Sequence, residues 1–518
     1  MARKLLYPLR TFELGINDKT AANLIPDQAV VDAENVVFGK GPISKRNGYV
    51  KYSNHLSHPI TKHYQHNRFN GDRAYLAISD KKVYSESNGN LSAITGSLSS
   101  SEVQMISYKD RNIGDVVLFA DGGKLKQYQA GVVSEVIPHV PIKEEGTDGT
   151  GVNEEQDPGL NDLANLTNFR ALAIKQDRIY AAAHPTVKNR LSFCHHDPKL
   201  GYAVYDYWPA IFFIDVATDN NDVINQLEAF RDGLVILCEN SVWFLRGDGR
   251  TIEAFDLQKI NVPTGCIAPN SVKMVGNDLF YLAEDGVYAM YSTDQNYVSA
   301  RQVSTLTSQG RVLSSVENTL KGISLADKRK AVGHYFDNKY YLSFPSGLTL
   351  VYDTILQCWT KFTNIKANSF LTKEGVLFFA SDSGYIYRFD ENVYSDDGAP
   401  IKFMLHTKNF DFNYEVQDKK FKKFWTIAKQ YDAETSIFNL AAKVDYIDVE
   451  IEEVSTDESQ GWGEGIWGEA FWGYRDVVQN ELRIQKRGKN IQLIITNNEV
   501  DQPLTIYGMV FQYKLKKP

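Results

Sequence analysis

The sequence predicts an all-β chain: a β-propeller of six to eight blades with an N-terminal docking arm and a C-terminal β-sandwich-like domain. Three observations predict it. A two-part formula recurs seven times between about residues 70 and 390. One copy is Gly233-Leu234-Val235-Ile236-Leu237-Cys238-Glu239-Asn240-Ser241-Val242-Trp243-Phe244-Leu245: an apolar run, a turn, and a second run holding an aromatic. Aromatic residues make up 12% of the 518 residues, and the 29 Tyr and 27 Phe favour pleated strands. The chain has 36 Gly and only 4 Cys, which suits many short strands joined by tight turns rather than by disulfides.

The other copies turn at Ser79-Asp80-Lys81, Asp121-Gly122-Gly123, Gln176-Asp177, Glu284-Asp285-Gly286, Pro345-Ser346-Gly347 and Asp382-Ser383-Gly384. Each first run is apolar on both faces, as a strand packed between neighbouring sheets would be. The turn residues supply the positive φ that tight hairpins need. Hairpins this apolar must stack on neighbours. Successive copies lie 37 to 63 residues apart, against about 40 to 50 residues for a four-stranded blade. The same hairpins would also fit one or two sandwiches, and the uneven spacing leaves the blade number open. Leu350-Val351-Tyr352-Asp353 leads to Cys358-Trp359-Thr360-Lys361-Phe362, which reads as an outer strand.

The chain divides into an arm at 1–55, the propeller at 56–392, a linker at 393–400 and a C-terminal β domain at 401–518. In the arm, Pro26-Asp27-Gln28 predicts a short helical turn with Val30, Ala33 and Asn35 on its inner side. An acidic, Gly-rich insertion covers 139–165 and cannot form a core. It reads either as a solvated loop or as a loop that meets a partner. Strands are expected at Ile401 to Thr407, Phe421 to Ile427, Val444 to Glu450, Ile491 to Ile495 and Leu504 to Tyr513. Among them lies a Trp-Gly-rich stretch with Trp462, Trp467 and Trp472. Two readings stand: a loop over the sandwich edge, or an aromatic patch at a subunit interface.

The net charge of −8 argues against a protein that grips nucleic acid by neutralising phosphates, which would need a basic surface, but not against one that lets DNA slide past. Cys194, Cys238, Cys266 and Cys358 form no CxxC pair and read as reduced, buried thiols. No apolar h-region follows Met1 and no run approaches the ~18 residues needed to span a bilayer, so cytoplasmic synthesis without membrane insertion is expected. His55, His58, His63 and His66 have a spacing that could gather a metal, but strand geometry does not bring such positions together reliably. Cys194 beside His195-His196-Asp197 suggests a thiol–imidazole pair, yet adjacent strand residues point to opposite faces. No paired carboxylates, phosphate loop or nucleophile elbow stands out. No cofactor, metal or catalytic residue is therefore expected.

The most specific signal lies in the arm. Leu14-Gly15-Ile16-Asn17, Ile25-Pro26-Asp27, Ala33-Glu34-Asn35-Val36 and Ser44-Lys45-Arg46-Asn47-Gly48-Tyr49 resemble the N-terminal signature of the tail nozzle and DNA-stabilisation proteins of short-tailed bacteriophages. Gly488-Lys489-Asn490-Ile491-Gln492-Leu493 and the Leu504 to Tyr513 strand resemble the C-terminal β domain of related tail proteins. The sequence departs from the signature at Leu14, where a second Gly is common, and at the acidic insertion. The resemblance implies a non-enzymatic virion protein, assembled in the host bacterial cytoplasm. It implies a homohexameric ring in the tail, below portal and adaptor proteins, with fibres or spikes attached outside. Double-stranded DNA would pass through the ring without sequence-specific binding, and the ring would help retain and then release it. Gly15, Asn17, Asn35, Arg46, Gly48 and Tyr49 would belong to an assembly arm, and Trp462, Trp467 and Trp472 to an interface patch. The alternative is a receptor- or glycan-binding propeller of the virion, whose aromatic-rich blades would stack on sugars.

Overall fold

A computed structural model of the chain describes residues 4–110, 114–137, 168–176, 178–197, 202–208, 212–217, 222–247, 255–294, 297–431, 436–455 and 477–516. The acidic insertion and Trp462, Trp467 and Trp472 lie outside the described residues. The described residues are strands joined by turns and loops, with short helices at Glu317–Lys321 and Leu325–Arg329.

Among the described residues, five separate four-stranded antiparallel sheets and two further meanders inside larger sheets form seven blades of a β-propeller. Their first strands are Ile60–Asn67, Gln104–Asp110, Ala171–Lys175, Ile224–Phe230, Lys273–Val275, Val332–Phe336 and Ser369–Lys373. The recurrent hairpin supplies strands two and three of six blades. In blade 3 it supplies strands one and two, because Ala171–Lys175 is itself the first strand.

The apolar pattern now has a physical account. In the second strand of blade 2, Val117 and Phe119 join Leu76, Ile78 and Val83 of blade 1. On the opposite face, Val116 and Leu118 join Leu172 and Ile179 of blade 3. In blade 4, Leu234 and Ile236 face blade 3 while Val235 and Leu237 face blade 5. A strand buried on both faces cannot alternate apolar and polar residues. The ring closes where Ile60, Ala77 and Leu91 of blade 1 pack on Phe378, Ala380 and Ile386 of blade 7.

The N-terminal segment does not sit apart as an arm. Leu5–Leu9, Val36–Phe38 and Ile43–Lys45 lie in a seven-stranded sheet with Lys419–Lys429, Val477–Arg483 and Thr505–Leu515. Ala29–Glu34 lies in a ten-stranded sheet between Cys358–Phe362 of blade 6 and Phe403–Thr407. That sheet runs on through Ile491–Asn497, Ile437–Val444 and Ile447–Ser455. The sandwich thus shares a sheet with blade 6, and one core spans both. The helical turn expected after Pro26 is instead a turn leading into a strand, on which Val30 and Ala33 are buried. β-Branched Val30 and Val31 suit that outcome. The strand expected at Val444 to Glu450 is a hairpin: Asp445 and Tyr446 take positive φ and turn Ile437–Val444 into Ile447–Ser455.

Candidate functional site

Three places gather polar side chains: a joint between propeller and sandwich, the seam that closes the ring, and a cavity on the propeller axis.

The joint is built by the signature residues. Gly48–Lys51 is the fourth strand of blade 7, paired antiparallel with Ile386–Asp390. Just before it, the fully buried Arg46 guanidinium binds Asp396 in bidentate fashion, Nη1 to Oδ1 at 2.8 Å and Nη2 to Oδ2 at 2.6 Å. Its Nε donates to Asn35 Oδ1 at 2.7 Å and its Nη2 to the Thr363 carbonyl at 2.8 Å. Asn35 takes φ +56° and donates through Nδ2 to Thr363 Oγ1 at 2.8 Å and to the Lys402 carbonyl at 2.7 Å. One network therefore ties the N-terminal segment to blade 6, to the segment at 395–397 and to the start of the sandwich. Neighbouring Lys45 donates to Asn497 Oδ1 at 2.8 Å, and burial together with Arg46 pushes its ammonium down to about 8.

The other signature residues shape the same joint. Tyr49 donates its hydroxyl to the Asn364 carbonyl at 2.7 Å and packs edge-on to Phe379 and Tyr387. Burial pushes its phenol well above the usual range. Asn17 donates from Nδ2 to the Val312 carbonyl at 2.9 Å. Gly15 has φ +61°, and a Cβ there would sit 2.6 Å from the Trp359 carbonyl oxygen. A Cβ on Gly48 would sit 1.9 Å from the Ser395 carbonyl oxygen. Gly48→Ala must therefore push the 395–397 segment off blade 7. A destabilisation of more than about 1 kcal/mol is expected, read as a lower thermal midpoint. Asn17, Asn35, Arg46, Gly48 and Tyr49 are all buried within the chain. These residues therefore make their contacts within their own chain.

The seam lies between blades 1 and 7. Lys373 Nζ reaches both oxygens of the buried Glu86 carboxylate at 3.2 Å and the Tyr52 hydroxyl at 2.9 Å. Glu86 also accepts from the Gly89 N–H and the Tyr52 hydroxyl, each at 3.0 Å. His63 Nε2 stands 3.6 Å from Glu86 Oε2. Burial alone would raise the Glu86 carboxyl, but His63, the Gly89 N–H and Lys373 together hold it at about 2. Burial pushes the His63 imidazole down, and Lys373 adds to this.

His63 and His66 sit on the same strand, and three residues apart they face opposite sides of the sheet. His66 Nδ1 pairs with Ser107 Oγ at 2.8 Å, His55 packs on the Tyr385 ring, and exposed His58 lies 3.7 Å from Asp80. The four imidazoles have separate partners. Cys194 Sγ accepts from the Ile179 N–H at 3.3 Å, and burial pushes its thiol up to about 11. His195 packs beside Tyr207 and Phe212. The four cysteines are buried and unpaired.

The axial cavity has a volume of about 450 Å³ and is lined by residues of all seven first strands, among them Lys62, Gln104, Leu172, Gln226, Lys273, His334 and Ser369. Lys62 donates to Asn270 Oδ1 at 2.5 Å, and burial with the nearby Lys273 pushes its ammonium down to about 8. Burial, then Lys273, push His334 down to about 3, so it is neutral. Glu228 is the only acidic side chain in the lining among the described residues, and burial raises its carboxyl. The lining mixes polar first-strand residues such as Lys62, Gln104 and Gln226 with apolar ones such as Leu172 and Phe370.

No protein-family model matches the sequence, and no curated protein matches it. Solved structures similar to the chain include the WD40 domain of Neurospora crassa Pan2, at 12% identity over 65% of this chain and 91% of that one, TM-score 0.36. BamB from Moraxella catarrhalis is 11% identical over 74% of this chain and 98% of that one, also at 0.36. The computationally designed Ika8 protein is 13% identical over 66% and 99%, at 0.34. At these values the fold rests on the chain's own sheet topology. Among the described residues no helix is long and apolar enough to cross a membrane. The chain is a β-propeller protein whose last blade and C-terminal sandwich are completed by its own N-terminal strands.

Proposed function

We propose that this propeller protein is a non-enzymatic ring component of a phage tail, a nozzle or hub below portal and adaptor, through which the genome passes. The joint carries the reading. The segment that bears the tail-protein signature is the segment that makes propeller and sandwich one body, through Asn35, Arg46 and Asp396. A tail ring that holds back a packaged genome needs subunits whose parts do not hinge, and a buried bidentate pair with a shared sheet supplies that.

The test is made on the particle. Virions imaged with an antibody against this chain should show it as a six-fold ring at the portal-proximal end of the tail. Particles assembled without the gene should lose their DNA. Particles that keep their DNA but no longer adsorb to cells would sink this reading and favour the receptor- or glycan-binding propeller.

A further inference from the structure

The outer face of the seven-stranded sandwich sheet carries an unusual set of charges. Lys420 on Lys419–Lys429 stands directly opposite Lys514 on Thr505–Leu515. On the next strand Leu5 stands opposite Tyr513, which places Lys4 beside Lys514. Lys422 follows two residues after Lys420. Phe421, Phe511 and Tyr513 point into the core, so Lys420 and Lys514 line the other side, and Lys422 sits at a bulge between Phe421 and Lys423, where it feels the charges of Lys420, Lys514 and Lys4.

These four lysines have no carboxylate within ion-pair reach among the described residues. Their neighbours do: Lys423 and Arg483 share Glu481, at 2.6 and 3.6 Å, and Arg487 holds Asp418 at 2.6 Å. Lys422 Nζ has only the Gln485 amide oxygen, at 3.2 Å. Local desolvation, then the charges of Lys420, Lys514 and Lys4, push its ammonium down. Like charges directly opposite in an antiparallel pair destabilise a sheet. The fold gains nothing from placing them there, and the chain as a whole carries −8.

We propose that this face binds the phosphate backbone of double-stranded DNA through Lys4, Lys420, Lys422 and Lys514. On this face Lys4 is exposed and Lys420, Lys422 and Lys514 are half-buried. Lysine is depleted at protein–protein interfaces, whereas phosphate neutralisation by lysine is the main source of sequence-independent DNA affinity. Strands about 4.8 Å apart bring three rows of ammonium groups to one surface. The proposal stands apart from the ring reading: a monomer that binds duplex DNA supports it and counts against the ring, and a six-fold ring that does not bind duplex overturns it alone.

The test is a fluorescence-anisotropy titration of the full chain against a labelled mixed-sequence duplex. Binding is expected at about 50 mM salt, falling with a log–log slope of about −3 to −4, near −0.9 per phosphate contact. K420E/K422E/K514E should weaken binding at least about tenfold and flatten the slope. K420Q/K514Q, which removes charge but keeps polarity, should weaken it less. Lys420→Glu alone should raise the thermal midpoint, by replacing a like-charged pair with an opposite one, while lowering affinity. A merely structural lysine would not move stability and binding in opposite directions. No binding at about 50 mM salt, unchanged binding by both multiple variants, or binding to anionic phospholipid vesicles without binding to duplex overturns the proposal.

Discussion

Arg46→Met is expected to lower stability by about 3–5 kcal/mol, because it leaves the buried Asp396 carboxylate without its cation. Asp396 keeps only the Asn364 Nδ2 donor at 3.1 Å, and Asn35 Oδ1 loses its bond from Nε. The effect should be local as well as large. The 395–397 segment pairs with Tyr49 and with residues 399–400, so its release exposes the propeller–sandwich junction. Limited proteolysis should cut near 391–400 in the variant and not in the wild type. Arg46→Met combined with Asp396→Leu removes both charges, and it should recover part of the loss, because two absent charges cost less than one stranded charge. Thermal unfolding of the two single variants and the double variant gives the coupling.

Lys373→Met should cost a similar amount, about 3–5 kcal/mol, by stranding Glu86 in the seam that closes the ring. Its pH dependence is the sharper readout. In the wild type the Glu86 carboxyl is depressed from 4.5 to about 2. Its contribution is therefore fully present above about 4.5 and is lost as pH falls toward 2. In the variant the nearest group able to neutralise Glu86 is His63, at 3.6 Å. Without the Lys373 charge, His63 should take a proton more readily. Burial holds the folded His63 below its unfolded value, so its protonation costs stability as pH falls, and that cost shrinks once the Lys373 charge is gone. Lys373→Met should thus be less destabilised at about pH 5.5 than at about pH 8, an unfolded histidine titrating near 6.5. A deficit equal at both pH values would show that His63 does not compensate.

The middle hairpins of the blades were legible because burial on both faces leaves a run with no polar residue, as in Gly233–Cys238. Apart from Ala171–Lys175, the first strands were not legible, for the opposite reason. Lys62, Gln65, Gln104 and Gln226 face the axial cavity, and Lys273–Val275 is too short to show a period. The N-terminal strands escaped because their partners are far along the chain: Leu5 pairs with Tyr513, and Gly48 with Asp390. Nothing local marks a strand whose neighbour lies hundreds of residues away.

The same distance hid most of the joint. Asn35, Arg46, Gly48 and Tyr49 drew attention through a resemblance, but their partner Asp396 sits in Ser395-Asp396-Asp397-Gly398, a composition that reads as an ordinary turn. Glu86 and Lys373 likewise stand at the ends of strands beside Ser87-Asn88-Gly89 and Glu374-Gly375, where charged residues are usually solvated. Only the fold shows that Glu86 and Lys373 meet across the seam. The quartet on the sandwich was half visible as Lys419-Lys420-Phe421-Lys422-Lys423. Its remaining members, Lys4 and Lys514, come from opposite ends of the chain.

The central claim is that this rigid propeller–sandwich body works as a subunit of a tail ring. The mass of the native assembly in solution tests it most directly. A closed hexamer of about 350 kDa, six times the 58.6 kDa chain, is expected. A species that stays at 58.6 kDa at every concentration, and on addition of the neighbouring tail proteins, would contradict it.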